Sequence, residues 1–176
     1  MLPRLKRRGL DVPLSAQPGS GVFSGYASLF NQRDASGDIV MPGAFHQSLL
    51  RRPAEDIRML FQHDPAEPVG TWLEVRETGR GLYVLGRLNK FVQRGRELLA
   101  LLESGGIDGL SIGFKTLSAR KDKTTAARLL TKIDLWEISL VTFPMLDGAR
   151  VSAVKSDSRA KADSLFTFSL ARSTQT

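Results

Sequence analysis

The segment Gly109-Leu110-Ser111-Ile112-Gly113-Phe114-Lys115 sets the tightest limit on what this chain can fold into. Leu110, Ile112 and Phe114 alternate with Ser111, Gly113 and Lys115, so the segment reads as a strand with one apolar face and one hydroxyl-bearing face. Gly109 and Gly113 stand on the serine's own face and remove bulk there, which lets another backbone or a ligand come close. The same residues spell G-x-S-x-G, the nucleophile-elbow pattern of α/β-hydrolases. An elbow needs a helix straight after the serine, and here the strand pattern runs on to Leu117. It also needs a histidine downstream, whereas His46 and His63, the only two in the chain, lie upstream. A nucleophilic Ser111 therefore belongs to a different scaffold.

Other segments carry the same period. Residues 22–30 read as a strand with Gly25 as a bulge or close-approach point. Residues 57–62 read as a strand that ends at His63-Asp64-Pro65. Residues 69–75 and 81–88 form a hairpin turned by Thr78-Gly79-Arg80-Gly81. Residues 128–142 supply one long strand or two broken ones before Pro144. Residues 31–37 are a polar turn region, and 38–41 a short extension after it. Pro42 and Gly43 open a helix that runs to Leu50. A second helix covers 94–104, with Gly95, Leu98, Leu101 and Leu102 on one side and Gly105-Gly106 as its stop. No internal repeat is present. The expectation is a mainly β protein with α (α+β), an antiparallel β-barrel of six or seven strands surrounded by helices. Residues 1–20, basic and holding Pro3, Pro13 and Pro18, read as an N-terminal arm, 21–154 as the domain, and 155–176 as a flexible C-terminal tail.

At 176 residues the chain has room for one domain with a real core. It has no cysteine, which excludes disulfides, thiolate zinc sites and a cysteine nucleophile. No His-x-x-x-His pair or acidic cluster offers three metal ligands, and no Gly-rich loop leads into Lys-Ser/Thr, so neither metal nor cofactor is expected. No apolar run approaches the roughly 20 residues of a membrane span. The basic start lacks the apolar stretch of a secretory signal. The net charge of +7 invites a nucleic-acid reading. Much of that charge stands at Arg4, Lys6, Arg7 and Arg8, at Arg120, Lys121 and Lys123, and at Lys155, Arg159 and Lys161. With two tryptophans, two tyrosines and no aromatic-interleaved basic stripe, no specific nucleic-acid partner is expected. Basic arms meeting an acidic protein partner, or charge that merely keeps the chain in solution, are the more ordinary explanations.

Serine chemistry needs an imidazole to take the hydroxyl proton and usually a third group to hold that imidazole. His63 stands at a strand end, a rim position from which side chains reach into sites. His46 lies on the first helix beside Phe45 and Gln47, where a solvated position is the plain reading. Glu137 lies mid-strand between Trp136 and Ile138, and a carboxylate buried there needs a partner. That partner is either an arginine in a structural ion pair or His63. Ser139, two residues on along the same face, is a lesser candidate for a supporting hydroxyl.

Five ordered blocks point further: Gly25-Tyr26-Ala27-Ser28-Leu29-Phe30; Gly37-Asp38-Ile39-Val40 with Pro42-Gly43-Ala44-Phe45; Gln62-His63-Asp64 with Pro68-Val69-Gly70; Gly109 to Phe114; and Glu137-Ile138-Ser139-Leu140-Val141-Thr142-Phe143-Pro144. In these, over about residues 22–154, the chain resembles the prohead proteases of tailed bacteriophages, serine peptidases of capsid maturation that are similar in fold to the herpesvirus assemblins. After Pro144 the chain departs from the family pattern with Met145-Leu146. The resemblance implies an assemblin-like barrel, Ser111 as nucleophile and His63 as general base. Glu137 is the choice for third member by position and chemistry, with His46 or a dyad as the alternatives. It further implies cleavage of the scaffold-like segment of the major capsid protein and of the enzyme's own tail. The setting would be the immature capsid of a phage, prophage or gene-transfer-agent particle in the cytoplasm of a bacterial host, with the enzyme a homodimer or higher oligomer and no membrane partner. A non-catalytic capsid scaffolding module and a basic nucleic-acid-binding barrel are the competing readings.

Overall fold

A computed structural model describes residues 20–154, a unit of eight strands and two α-helices. The tail expected at 155–176, and all but the last residue of the arm expected at 1–20, lie outside the described residues. In chain order the elements are β1 (Val22–Leu29), β2 (Asp38–Val40), α1 (His46–Arg51), β3 (Arg58–Phe61), β4 (Asp64–Glu77), β5 (Gly81–Leu88), α2 (Gln93–Ser104), β6 (Gly109–Lys121), β7 (Arg128–Val141) and β8 (Val151–Val154). A single turn of 3-10 helix, Ala54–Asp56, leads into β3.

β7 organises the sheet. Along one edge it pairs antiparallel with β6 from Gly109↔Val141 to Lys121↔Arg128. Its other edge is shared by two parallel partners, β2 at Arg128–Leu130 and β3 at Glu137–Leu140. From β3 the sheet continues antiparallel through β4, β5, β1 and β8. The sheet of paired strands is thus open and mixed, with eight strands, where sequence periodicity led to an antiparallel barrel of six or seven. The physical reason is plain: β2 and β8 are only three and four residues long, and a parallel partner is chosen by distant contacts that leave no local mark. Backbone bonds beyond the ladders join the start of β6 to the chain before β8: Leu110 N–H to Ala149 O at 2.8 Å and Val151 N–H to Asp108 O at 2.8 Å. From there Tyr26 N–H of β1 reaches Arg150 O at 3.1 Å.

The core follows from the alternating pattern. Phe23, Met59, Trp72, Leu82, Leu110, Leu130, Leu135 and Ile138 are all at or near full burial. Trp72 meets Phe23 edge to face with centroids 5.6 Å apart, an arrangement that aromatic quadrupoles favour. α1 is sewn to β7 by Ser48, whose buried Oγ accepts the Leu135 N–H at 2.8 Å. α2 buries Gly95, Leu98 and Leu102 and leaves Leu101, expected on the same side, 42% exposed. Its stop is as the glycines foretell: Gly105 is left-handed at φ 75°, and Gly106 N–H returns to Leu101 O at 2.7 Å.

Candidate active site

Ser111 lies on β6 directly opposite Ser139 of β7, and Gly113 directly opposite Glu137. Cross-strand partners and i, i+2 neighbours share one face of a sheet, so Ser111, Gly113, Glu137 and Ser139 form a single patch. The two glycines flanking the serine have separate uses there. A Cβ at Gly113 would overlap Glu137 Oε1 and stand 2.6 Å from its Cδ, so this glycine makes room for the carboxylate. A Cβ at Gly109 would run into the carbonyl oxygen of Val141. The G-x-S-x-G spelling thus arises from close packing of β6 on β7 rather than from an elbow.

His63 is delivered to this patch by the reversal between β3 and β4. Phe61 pairs with Asp64, so Gln62 and His63 are the two central residues of the turn. Both are left-handed, at φ 54° and 60°, the pattern of a type I′ hairpin. Non-glycine residues pay about 1–2 kcal/mol each for that backbone, so other contacts must hold it. β7 supplies them. Gln62 N–H donates to Leu140 O at 2.9 Å, and Gln62 Nε2 donates to Thr142 Oγ1 at 2.6 Å. His63 N–H donates to Ser139 Oγ at 3.2 Å.

The side chains complete the arrangement. His63 Nδ1 lies 2.6 Å from Glu137 Oε1, and Ser139 Oγ donates to Glu137 Oε2 at 2.6 Å. An ionised carboxylate can only accept, so Nδ1 carries a proton, and in the neutral ring Nε2 keeps its lone pair. The hydrogen bond to Glu137, helped by that carboxylate's charge, raises the His63 pKa above 6.5, against partial burial that pulls the other way. The Glu137 side chain is 13% exposed and that of His63 41%. Among the described residues the partners of the Glu137 carboxylate are His63 and Ser139, and no arginine is among them. His46 is exposed on α1, and the Glu137 carboxylate pairs with His63 instead. Ser111 is 4% exposed, and its hydroxyl has no hydrogen-bond partner among the described residues.

A cavity of about 130 Å³ opens beside Ser111, lined by Ala27, Leu29, Val40, Leu110, Met145 and Leu146 together with Asp34 and Asp38. Asp38 is already held by Arg128 through two hydrogen bonds, so its charge is matched. Among the described residues no cluster of three or more His, Asp or Glu side chains could hold a metal ion, and no helix is long and apolar enough to cross a membrane. Two contributors escaped the sequence reading. Gln62 and Thr142 are common polar residues far apart in the chain, and nothing local marks them as partners. Gly113 did carry a signal, since it flanks the serine, but its counterpart across the ladder was not legible.

Comparison with known proteins adds one decisive match. The family model of the caudovirus prohead serine protease aligns with residues 8–163. The chain belongs to this family. It is 37% identical over 151 residues to the prohead protease of Enterobacteria phage HK97, which covers 83% of this chain and 65% of that protein. The chain thus spans about two thirds of the length of that relative. Among solved structures, the bacteriophage T4 capsid assembly protease superposes with a TM-score of 0.55, 13% identity and coverage of 68% of this chain and 80% of the other. KSHV protease, in complex with a hexapeptide phosphonate inhibitor, gives a TM-score of 0.52, 13% identity and coverage of 74% and 63%. At such identity these two likenesses bear on the fold: mainly β, few helices, assemblin-like.

Proposed function

We propose that this member of the prohead serine protease family is a serine endopeptidase with Ser111 as nucleophile, His63 as general base and Glu137 as the group that holds the imidazole. The observation that carries the reading is the 2.6 Å contact of His63 Nδ1 with Glu137, made on the same sheet face as the glycine-flanked Ser111. Ser111 is the diagonal neighbour of Glu137 across the ladder, a Cβ separation of about 7 Å in general. In this reading the imidazole, bonded to Glu137 through Nδ1, turns Nε2 to Ser111 when substrate binds, a contact not made in the free chain.

The steps follow from these groups. Ser111 Oγ attacks the scissile carbonyl carbon while its proton passes to His63 Nε2. Glu137 stabilises the imidazolium, and backbone N–H groups beside the new tetrahedral centre take up the oxyanion. Collapse breaks the C–N bond, and His63 Nε2 returns the proton to the leaving amine. Water, deprotonated by the same nitrogen, then adds to the acyl carbon, and the ester C–O bond breaks as His63 Nε2 returns that proton to Ser111 Oγ.

The substrate in this reading is the scaffold-like segment of the major capsid protein, with the protease's own tail as a second target, cut inside the immature capsid in a bacterial host. The name of the HK97 relative and that of the T4 capsid assembly protease support it. The enzyme acts there as a homodimer or higher oligomer. The bonds that join β6 through Ala149 and Val151 to β1 support reading the curled sheet as a barrel with helices outside it. The test is co-expression of the cognate capsid protein with the wild-type chain or with Ser111→Ala. Capsid protein shortened only by the wild type is the expected result; equal processing by both, or by neither, overturns the proposal.

A further inference from the structure

We infer that Ser139 is a positioning residue, a buried hydroxyl that fixes the His63 turn and the Glu137 carboxylate relative to one another; this rests on the catalytic reading above. Its Oγ makes two bonds of opposite sense, accepting from His63 N–H at 3.2 Å and donating to Glu137 Oε2 at 2.6 Å. The direction of both is forced. A backbone N–H can only donate and an ionised carboxylate can only accept, so the hydroxyl has one arrangement open to it. Ser139 is fully buried, and its hydroxyl is satisfied on both sides.

Two consequences reach His63. The carboxylate of Glu137 has a free torsion at its end, and a donor on Oε2 removes that freedom and presents Oε1 to Nδ1. The turn that carries His63 is strained at Gln62 and His63, and the bond from His63 N–H to Ser139 holds its tip against β7. One hydroxyl therefore sets both ends of the Nδ1–Oε1 contact. Two further charged residues border the pair along the strands. Arg58 of β3 stands in register with Glu137, and Asp64 follows His63 at the start of β4. Neither forms an ion pair with His63 or Glu137.

A merely structural buried hydroxyl would affect stability alone, so the test reads the imidazole. With only two histidines in the chain, NMR titration of the His63 ring is unambiguous once His46→Gln removes the other signal. In that background Ser139→Ala and the near-isosteric Ser139→Cys are compared with the parent by ring titration, melting temperature and peptide turnover. The expected result is a His63 pKa drawn back toward 6.5 and kcat lowered about tenfold to a hundredfold at unchanged KM in both variants. A lowered melting temperature with unchanged titration and unchanged turnover per folded molecule overturns the inference. Should either variant fail to fold, amide exchange in the parent protein decides: protection at His63 N–H supports the bond, and exchange at the rate of an open loop overturns it. A parent that cleaves nothing defeats the catalytic reading, while titration and exchange still judge Ser139.

Discussion

Replacing Gly113 with alanine should disable the His63–Glu137 pair without removing a single polar atom. The added Cβ would lie 2.6 Å from Glu137 Cδ and 2.8 Å from its Cγ, and overlap Oε1. Ordinary carbon contacts begin near 3.5 Å, so the carboxyl group must retreat by about 1 Å. Its bonds to His63 and Ser139, both 2.6 Å long, do not survive such a shift. A hydrogen bond to a charged group is worth roughly 1.5–3 kcal/mol, and part exposure of His63 brings the stability loss to the low end of that range or below it. Catalysis should suffer more. A general base held in the wrong orientation or tautomer costs up to roughly 10⁴-fold in serine proteases, so a fall in kcat of about 10²- to 10⁴-fold is expected. Gly79→Ala is the control: nothing lies within 4 Å of its added Cβ, and it should be neutral or slightly stabilising. Both variants are assayed on a peptide from the capsid-protein junction, with melting temperatures in parallel. Gly113→Ala that turns over like Gly79→Ala would refute the packing argument.

Three other perturbations test the same geometry. Glu137→Gln should keep the fold, draw the His63 pKa down toward 6.5 by removing the main cause of its rise, and cut kcat by orders of magnitude; a destabilised yet fully active variant would remove Glu137 from the site. Because the pKa of His63 is raised, the acid limb of kcat/KM should lie above pH 6.5, where the ring becomes neutral. The stability contributed by the pair has the opposite trend: full below pH 6.5, it fades as pH rises through the raised value, so melting temperature should fall slightly over the window in which activity rises. Thr142→Val removes the acceptor of the Gln62 amide and should lower kcat several-fold with a small loss of stability, read by the same peptide assay.

What the sequence revealed and concealed divides along the range of the interactions. Local patterns were legible: alternation along β6, the helix stop at Gly105-Gly106, the hairpin turn at residues 78–81, and a carboxylate at 137 in need of a partner. The exclusion of an elbow was also local, since the strand continues past Ser111. Long-range choices were not legible. The parallel pairing of β3 with β7 sets Arg58 opposite Glu137 and Phe61 opposite Leu140, which lays the turn after β3 against β7, yet no residue in either strand announces a parallel neighbour. The turn at Gln62-His63 lacks the Asn-Gly or Gly residues that mark a type I′ hairpin, because bonds to β7 rather than glycine sustain its backbone. For the same reason β4 begins at Asp64, five residues before the alternating stretch that suggested it; Pro65 and Pro68 interrupt the pattern there.

Labelling with a fluorophosphonate probe, followed by intact mass and peptide mapping, tests the central claim most directly, because the reagent reports an activated serine whatever the natural substrate is. The expected result is a single adduct on Ser111, lost in Ser111→Ala and strongly slowed in His63→Ala, with the acid limb of labelling above pH 6.5. An adduct on another serine, or a folded protein whose Ser111 stays unlabelled at alkaline pH, would contradict it.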